Sequence, residues 1–123
     1  MASNKIIRFG PVALGTSAAN ILNAPTLTGG TGLAGTNAAT YLILRHIRIV
    51  SKSASTVTAS LYVGASGASA AGTEFAFNAF VITPNSYQDW YGMVRLDAAD
   101  FLTGLASIAT SLTIEGEGEI GIA

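Results

Sequence analysis

The C-terminal segment of the chain has two chemically different faces. From residue 112 to residue 122, hydrophobic residues and glycines alternate with polar residues. One parity holds Leu112, Ile114, Gly116, Gly118, Ile120 and Ile122, and the other holds Thr113, Glu115, Glu117 and Glu119. Successive side chains of a β-strand point to opposite faces. The segment therefore predicts a strand with an apolar inner face and an acidic outer face. We call Glu115, Glu117 and Glu119 the acidic row.

Other segments show the same period of two, separated by glycine, proline, serine and asparagine. The predicted strands cover residues 5–9 (ending at Gly10-Pro11), 18–22, 41–50, 57–63, 74–82, 87–96 and 107–122. Residues 97–102 are instead predicted to form one helical turn, with Asp97 as N-cap and Asp100 three positions later. A series of short alternating strands separated by turn residues is typical of an all-β protein. It predicts a single-domain antiparallel β-sandwich of jelly-roll type with about eight strands.

The alternation also predicts which side chains form the core and where the chain leaves it. The expected core residues are Phe77, Leu61, Ile47, Ile114 and Trp90. Residues 23–40 contain Pro25 and four glycines, and residues 64–72 are rich in glycine, serine and alanine, so both segments are predicted to be loops. The 123 residues form one domain, in which residues 1–40 supply an N-terminal arm and the long glycine-rich loop.

Charged residues are scarce and unevenly distributed. They make up 11% of the chain, against a usual share of about 25%. Residues 1–52 carry five cations and no acid, which gives +5, whereas residues 53–123 carry one arginine and seven acids, which gives −6. The low charge and the long loop at residues 23–40 predict contacts between subunits, for which we expect a homotrimer. The two halves should attract each other, either within one subunit or between neighbours.

The residues predicted to lie at such an interface are Arg45, Arg48, Lys52 and the three glutamates of the acidic row. Glutamates at every second strand position lie about 7 Å apart, from a rise of roughly 3.4 Å per residue. That spacing fits a solvated face, a row of salt bridges with these three cations, or a calcium site completed by other carbonyl groups. Gly116 and Gly118 remove side chains from the opposite face, where a backbone or an aromatic ring can approach.

Few residues suggest catalysis. His46 is the only histidine, and its neighbours in the sequence include no nucleophile and no acid. Carboxylate pairs for glycoside cleavage would have to come from Asp89, Asp97 and Asp100, and aromatic stacking on sugars from Trp90, Tyr91, Tyr87 and Tyr62. The chain has no cysteine, and no cofactor motif is present. The expectation is a protein that is not an enzyme and has no cofactor.

Partners and location follow from the same composition. The cations are not clustered and have no interleaved aromatic residues, so nucleic-acid binding is not expected. No run of 18 apolar residues and no signal-peptide core occur in the sequence. We therefore expect synthesis in a cytoplasm and no association with a membrane.

Four segments together resemble small structural proteins of tailed bacteriophages. They are residues 44–52, residues 60–74, residues 89–102 and the Glu-Gly-Glu-Gly-Glu-Ile-Gly run near the end. The resemblance covers roughly residues 41–123 and brings no catalytic motif. It implies a structural protein of the virion, made in the bacterial host cytoplasm. The role implied is an oligomeric capsid decoration protein; a neck or tail component and a carbohydrate- or receptor-binding module are the alternatives.

Overall fold

The structure of the chain is a computed structural model. The structure describes residues 5–22, 39–65, 67, 69, 71–97 and 100–122. These residues form eight strands and no helix, which confirms the all-β prediction. The strands are β1 (Lys5–Ala13), β2 (Ala19–Leu22), β3 (Ala39–Ser51), β4 (Val57–Gly64), β5 (Phe80–Ile82), β6 (Tyr87–Leu96), β7 (Phe101–Ala106) and β8 (Leu112–Ile122).

The described strands form two four-stranded antiparallel sheets. Sheet 1 has the order β1-β8-β3-β6, and sheet 2 has the order β2-β7-β4-β5. The first strand therefore pairs with the last, the second with the seventh, the third with the sixth and the fourth with the fifth. A long hairpin folded between β4 and β5 and then rolled up gives this pairing, which is the arrangement of a jelly roll. The predicted fold class is confirmed.

The core lies between the two sheets. Four of the five predicted core residues are almost completely buried: Phe77, Leu61, Ile47 and Ile114. The fifth, Trp90, is half-buried and packs against the core, with its indole ring edge-on to Phe75 at 4.9 Å between centroids. The parity of β3, β4, β6 and β8 at these residues is therefore as predicted, whereas the face predicted for the segment of Phe77 is wrong at Val81, which is 55% exposed.

The glycines of β8 allow close packing in the middle of sheet 1. A Cβ atom at Gly116 would lie 2.6 Å from Cζ of Phe9, whose ring is fully buried, and closer still to the backbone carbonyl oxygen of His46. One at Gly118 would overlap the carbonyl oxygen of Ile43. The prediction that these glycines admit a ring and a backbone is confirmed. The side chains of Ile120 and Ile122 lie outside the described residues.

Four predicted elements differ from the structure. The predicted strand 107–122 begins only at Leu112, since residues 107–111 form bends and turns. β1 does not end at Gly10-Pro11 but continues to Ala13, with a cis peptide bond at Gly10-Pro11 and a shift of register against β8 between Phe9 and Val12. The predicted strand 74–82 is reduced to β5, preceded by isolated bridges at Glu74, Phe75 and Phe77. Its backbone is interrupted because Ala76 and Ala79 have positive φ angles of 64° and 47°.

The predicted helical turn at residues 97–102 is wrong where the structure describes it. Phe101 and Leu102 begin strand β7, which the sequence analysis missed. The capping contact nevertheless exists, since the Asp97 N–H donates to the Asp100 carboxylate at 2.9 Å. Of the predicted loop 23–40, residues 39 and 40 belong to β3, and residues 23–38 lie outside the described residues. The division of the chain into an arm and one domain stays a prediction.

In strand β3, the parity of the residues that face the core changes partway along the strand. Leu44 and Ile47, three positions apart, both lie in the core, so the strict alternation is broken between them. The register of β3 shifts between Leu44 and His46 against both β6 and β8. Because of this irregularity, Arg45 and His46 both lie on the outer side of sheet 1. The shift places the basic part of β3 beside the acidic row.

Candidate functional site: the outer face of sheet 1

The outer face of sheet 1 collects most of the charged and exposed aromatic side chains of the chain. β3 contributes Arg45, His46 and Arg48 at its centre, and β8 contributes the acidic row on one side. On the other side, β6 contributes Tyr87, Asp89, Tyr91, Met93 and Arg95. The face therefore joins the basic first part of the chain to the acidic second part within one subunit.

Asp89 is held most firmly on this face. The guanidinium group of Arg48 donates two hydrogen bonds to it, from Nε to Oδ1 at 2.7 Å and from a terminal nitrogen to Oδ2 at 2.9 Å. This bidentate geometry is the strong form of an arginine–carboxylate pair. The hydrogen bonds from Arg48 lower the pKa of Asp89 to about 2, despite partial burial of the carboxylate, and a hydrogen bond from His46 adds to the effect. The same pair raises the pKa of Arg48.

His46 lies between two carboxylates from two different strands. Its Nε2 atom is 2.9 Å from Oδ1 of Asp89, and its Nδ1 atom is 2.7 Å from Oε1 of Glu117. Partial burial alone lowers the pKa of His46, but the hydrogen bonds to Asp89 and Glu117, together with both charges, outweigh it and raise the pKa above 6.5. The histidine side chain is 16% exposed. The two carboxylates therefore favour the protonated ring in this half-enclosed setting.

Aromatic rings and cations alternate along the β3–β6 pair. Tyr91 stacks on the His46 ring with 4.6 Å between centroids and 20° between planes. Arg48 lies over the Tyr87 ring at 4.7 Å, and Arg95 lies over the Tyr41 ring at 4.6 Å. Such cation–π contacts contribute about 0.5–1 kcal/mol at exposed sites. They fix the tyrosine rings in defined orientations on the surface.

The structure brings together some, but not all, of the predicted interface residues. Arg45 pairs with Glu119 at 2.7 Å, whereas Arg48 pairs with Asp89 and not with the acidic row. Glu115 lies opposite Arg48 in the strand register but makes no ion pair with a described residue. Lys52 follows the end of β3 and is exposed, and its side chain makes no ion pair with a described residue. The role of these residues between subunits stays a prediction.

The aromatic residues proposed for sugar stacking do not form one cluster. Tyr87 and Tyr91 are 60% and 70% exposed on sheet 1. Trp90 points to the inner side, and Tyr62 belongs to β4 in sheet 2. The aspartates are also separated in their contacts: Asp89 binds Arg48 and His46, while Asp97 accepts a hydrogen bond from Arg95 at 2.6 Å.

The outer face also carries exposed hydrophobic side chains and one groove. Ile6, at the β1 edge, is 85% exposed, and Met93 on β6 is 64% exposed. A groove of about 390 Å³ next to Ile6 is lined by Arg45, Glu117, Gly118 and Glu119. In the part of the chain that the structure describes, no three histidine, aspartate or glutamate side chains are grouped as a metal site would need. No helix there is long and apolar enough to cross a membrane.

The environment of His46 was missed by the sequence analysis. Asp89 and Glu117 lie 43 and 71 positions away, so the chain has no local pattern that brings them to His46. The switch of hydrophobic parity between Leu44 and Ile47 was the available signal. It predicts an irregularity in β3 that turns His46 outward, toward the faces of β6 and β8.

The strand order and the two sheets define the class of this protein as a jelly-roll β-sandwich. No protein-family model matches the chain, and no curated protein sequence matches it. Among solved structures, murine APRIL, in a crystal structure at pH 8.5, is similar with a TM-score of 0.52 and 9% identity; the match covers 98% of this chain and 100% of that one. This similarity concerns the fold alone.

A structure of the infectious bursal disease virus Gx strain gives a lower TM-score of 0.36 at 13% identity. That match covers 99% of this chain and 30% of the other. At this TM-score the overlap has no bearing on fold or function.

Proposed function

We propose that the chain is a non-enzymatic structural protein of a tailed-phage virion, made in the bacterial host cytoplasm, and that it acts as an oligomeric capsid decoration protein. A neck or tail position is the alternative. The resemblance of residues 41–123 to phage structural proteins motivates the proposal. Jelly rolls also form viral capsid domains, although they occur in lectins and cupins as well. A fold does not define a function, so the argument depends on the surface.

The observation that carries the proposal is the row of exposed side chains on β6. Tyr87, Tyr91 and Met93 are 60%, 70% and 64% exposed on one strand face. Tyrosine, methionine and arginine are enriched in protein interfaces. Arg48 behind Tyr87 and the His46 ring behind Tyr91 hold both rings in place, so little side-chain freedom is lost on docking. This face is suited to permanent contact with another protein.

The same surface supports oligomer formation, for which we propose a homotrimer. Light scattering of the purified protein at tens of micromolar tests this directly. A mass of three chains supports the proposal, and a monomer contradicts it. The double substitution Tyr91→Ala/Met93→Ala should weaken association by roughly 30-fold or more if the pair is a binding hot spot. Val81→Ala, at a residue that is 55% exposed on sheet 2, is the matched control.

The decisive experiment locates the chain in purified particles. Virions are isolated from a phage lysate by density gradient, and peptides of the chain are quantified against the major capsid protein. A fixed ratio supports a virion role, and electron cryomicroscopy then distinguishes the capsid surface from the neck and the tail. Absence of the chain from gradient-purified particles contradicts the proposal.

A second candidate function is binding of a carbohydrate receptor. The exposed rings of Tyr87 and Tyr91 favour it, since both present a free face beside polar groups. Trp90 is not part of this candidate because its indole packs against Phe75. Glycan-array binding that is lost in Tyr91→Ala supports this function, and it is compatible with a place in the virion.

A further inference from the structure

The contacts of His46 have the geometry of a ring that carries a proton on both nitrogens. Each of its two ring nitrogens lies within hydrogen-bond distance of a carboxylate oxygen, at 2.9 Å from Asp89 and 2.7 Å from Glu117. Ionised carboxylates accept hydrogen bonds and cannot donate them, and a neutral imidazole has a single N–H. Both contacts are hydrogen bonds only when the ring is an imidazolium. One proton therefore decides whether β6 and β8 are both linked to β3 at this point.

We propose that His46 is a proton-dependent clamp across three strands of sheet 1: as an imidazolium it joins Asp89 of β6 to Glu117 of β8, and on losing a proton it keeps Asp89 and releases Glu117. The clamp is a property of the isolated chain. It does not depend on a role in a virion.

The two carboxylates differ in how easily they can move away. Asp89 is 16% exposed and is fixed by two hydrogen bonds from Arg48. A ring nitrogen without a proton would direct its lone pair at this fixed oxygen, which is unfavourable in a half-buried place. Glu117 is 54% exposed and makes no other ion pair with a described residue. It can turn to water, so the neutral ring keeps its proton on Nε2.

Among the described residues, no other cation near His46 takes over the contact with Glu117 when the ring loses its proton. On β3 itself, Arg45 and Arg48 are paired with Glu119 and Asp89. On β8, Glu115 and Glu119 flank Glu117, and on β6, Tyr91 stacks on the ring. Arg8 of β1 lies opposite Glu117 in the register but makes no ion pair with a described residue. The surroundings of His46 thus hold more negative charge than free positive charge.

The direction of the pH effect follows from this arrangement. The two carboxylates raise the pKa of His46 above its ordinary value of 6.5, against the effect of partial burial. A group whose pKa is raised by folding stabilises the folded state fully below the unfolded pKa, and this contribution is lost as the pH rises through the folded pKa. Above that pH the outer face also loses one positive charge and gains a free glutamate. The surface beside Tyr91 becomes more negative.

Nuclear magnetic resonance of the whole chain tests the clamp, because His46 is the only histidine in the sequence. We expect both ring nitrogens to be protonated at acidic pH, a midpoint of titration above 6.5, and Nε2–H as the neutral tautomer. A midpoint at or below 6.5 overturns the clamp. A neutral form with its proton on Nδ1 overturns the proposed release of Glu117. These measurements need no substitution.

A matched pair of variants separates the clamp from general electrostatics. Glu117→Gln removes the charge that contacts His46, whereas Glu115→Gln removes the same charge two positions away on the same strand face, about 7 Å along the strand. The titration midpoint should fall in Glu117→Gln and fall much less in Glu115→Gln. Equal shifts in the two variants would overturn the direct contact. Backbone amide spectra identify any variant that is not folded, and the parent titration then decides the proposal.

Discussion

Replacing Gly116 by alanine tests how closely β8 packs in the centre of sheet 1. The new Cβ atom would lie 2.6 Å and 2.7 Å from two carbons of the Phe9 ring and closer still to the carbonyl oxygen of His46. Ordinary carbon contacts are about 3.5–4.0 Å, so the ring would have to move by roughly 1 Å. Phe9 is fully buried, and the carbonyl belongs to a strand paired on both sides. Displacing either the Phe9 ring or the His46 carbonyl is therefore energetically unfavourable.

We expect Gly116→Ala to lower the free energy of unfolding by about 2–2.6 kcal/mol. Overpacking of a core costs about 1–3 kcal/mol, occasionally more, and the reduced freedom of the unfolded chain offsets about 0.4–1 kcal/mol of that cost. We place the cost near the top of the overpacking range because the new Cβ atom also meets the carbonyl oxygen of His46, and a backbone atom in a paired strand moves less easily than a side chain. Urea unfolding at a fixed protein concentration measures it, through the midpoint and the slope.

Gly64→Ala is the matched control, since a Cβ atom there would meet no atom within 4 Å. Its effect should stay within about 0.5 kcal/mol. The double variant Phe9→Leu/Gly116→Ala then separates the two contacts, because a smaller side chain relieves the ring contact and leaves the carbonyl contact. If Gly116→Ala is as stable as Gly64→Ala, the close packing of β8 against Phe9 and β3 is refuted.

Three further predictions concern the core, the acid range and the acidic row. Phe77→Ala and Ile114→Ala should each cost about 2–5 kcal/mol in urea unfolding; losses under about 1 kcal/mol at both would contradict the assigned faces. The pKa of Asp89 is lowered to about 2 in the folded chain, so its pairing stabilises the fold at a pH above the pKa of the unfolded chain, which is near 4, and this stabilisation is lost as the pH falls toward 2. Asp89→Asn should remove that part of the pH dependence, which is measured as the free energy of unfolding across an acid titration. Changing the whole acidic row to glutamine should weaken subunit or particle association and flatten its salt dependence, while single changes at its exposed pairs alter stability by only about 0–1 kcal/mol; an unchanged salt slope would identify the row as a solvated face.

Much of the fold could be predicted because local alternation encodes it. The inward side of Leu112 and Ile114 and the outward side of the acidic row followed from parity alone. Strand β7 was missed because Leu102, Thr103 and Gly104 are buried in succession, so that no alternation of polar and apolar residues marks it. The interruption before β5 was missed because alanine gives no signal for the positive φ of Ala76 and Ala79.

The candidate site was less predictable because it depends on strand order. The sequence indicated that basic and acidic halves attract, and Arg45–Glu119 follows that expectation within one chain. It did not indicate that Arg48 would bind Asp89, since only the pairing of β3 with β6 places them opposite each other. The surroundings of His46 need β3 to lie between β6 and β8. Such adjacency is a property of the rolled-up chain and not of any one segment.

The position of β8 between β1 and β3 also determines when this protein can fold during its synthesis. Sheet 1 lacks one of its two inner strands until residues 112–122 have left the ribosome. Before then, β1 has no neighbour in its sheet and β3 has one open edge. Pairing of early with late strands is slow, because long loops must close first, and open edges expose the nascent chain to aggregation. The jelly roll must therefore be completed after translation of β8, and chaperones that cover strand edges should raise its yield.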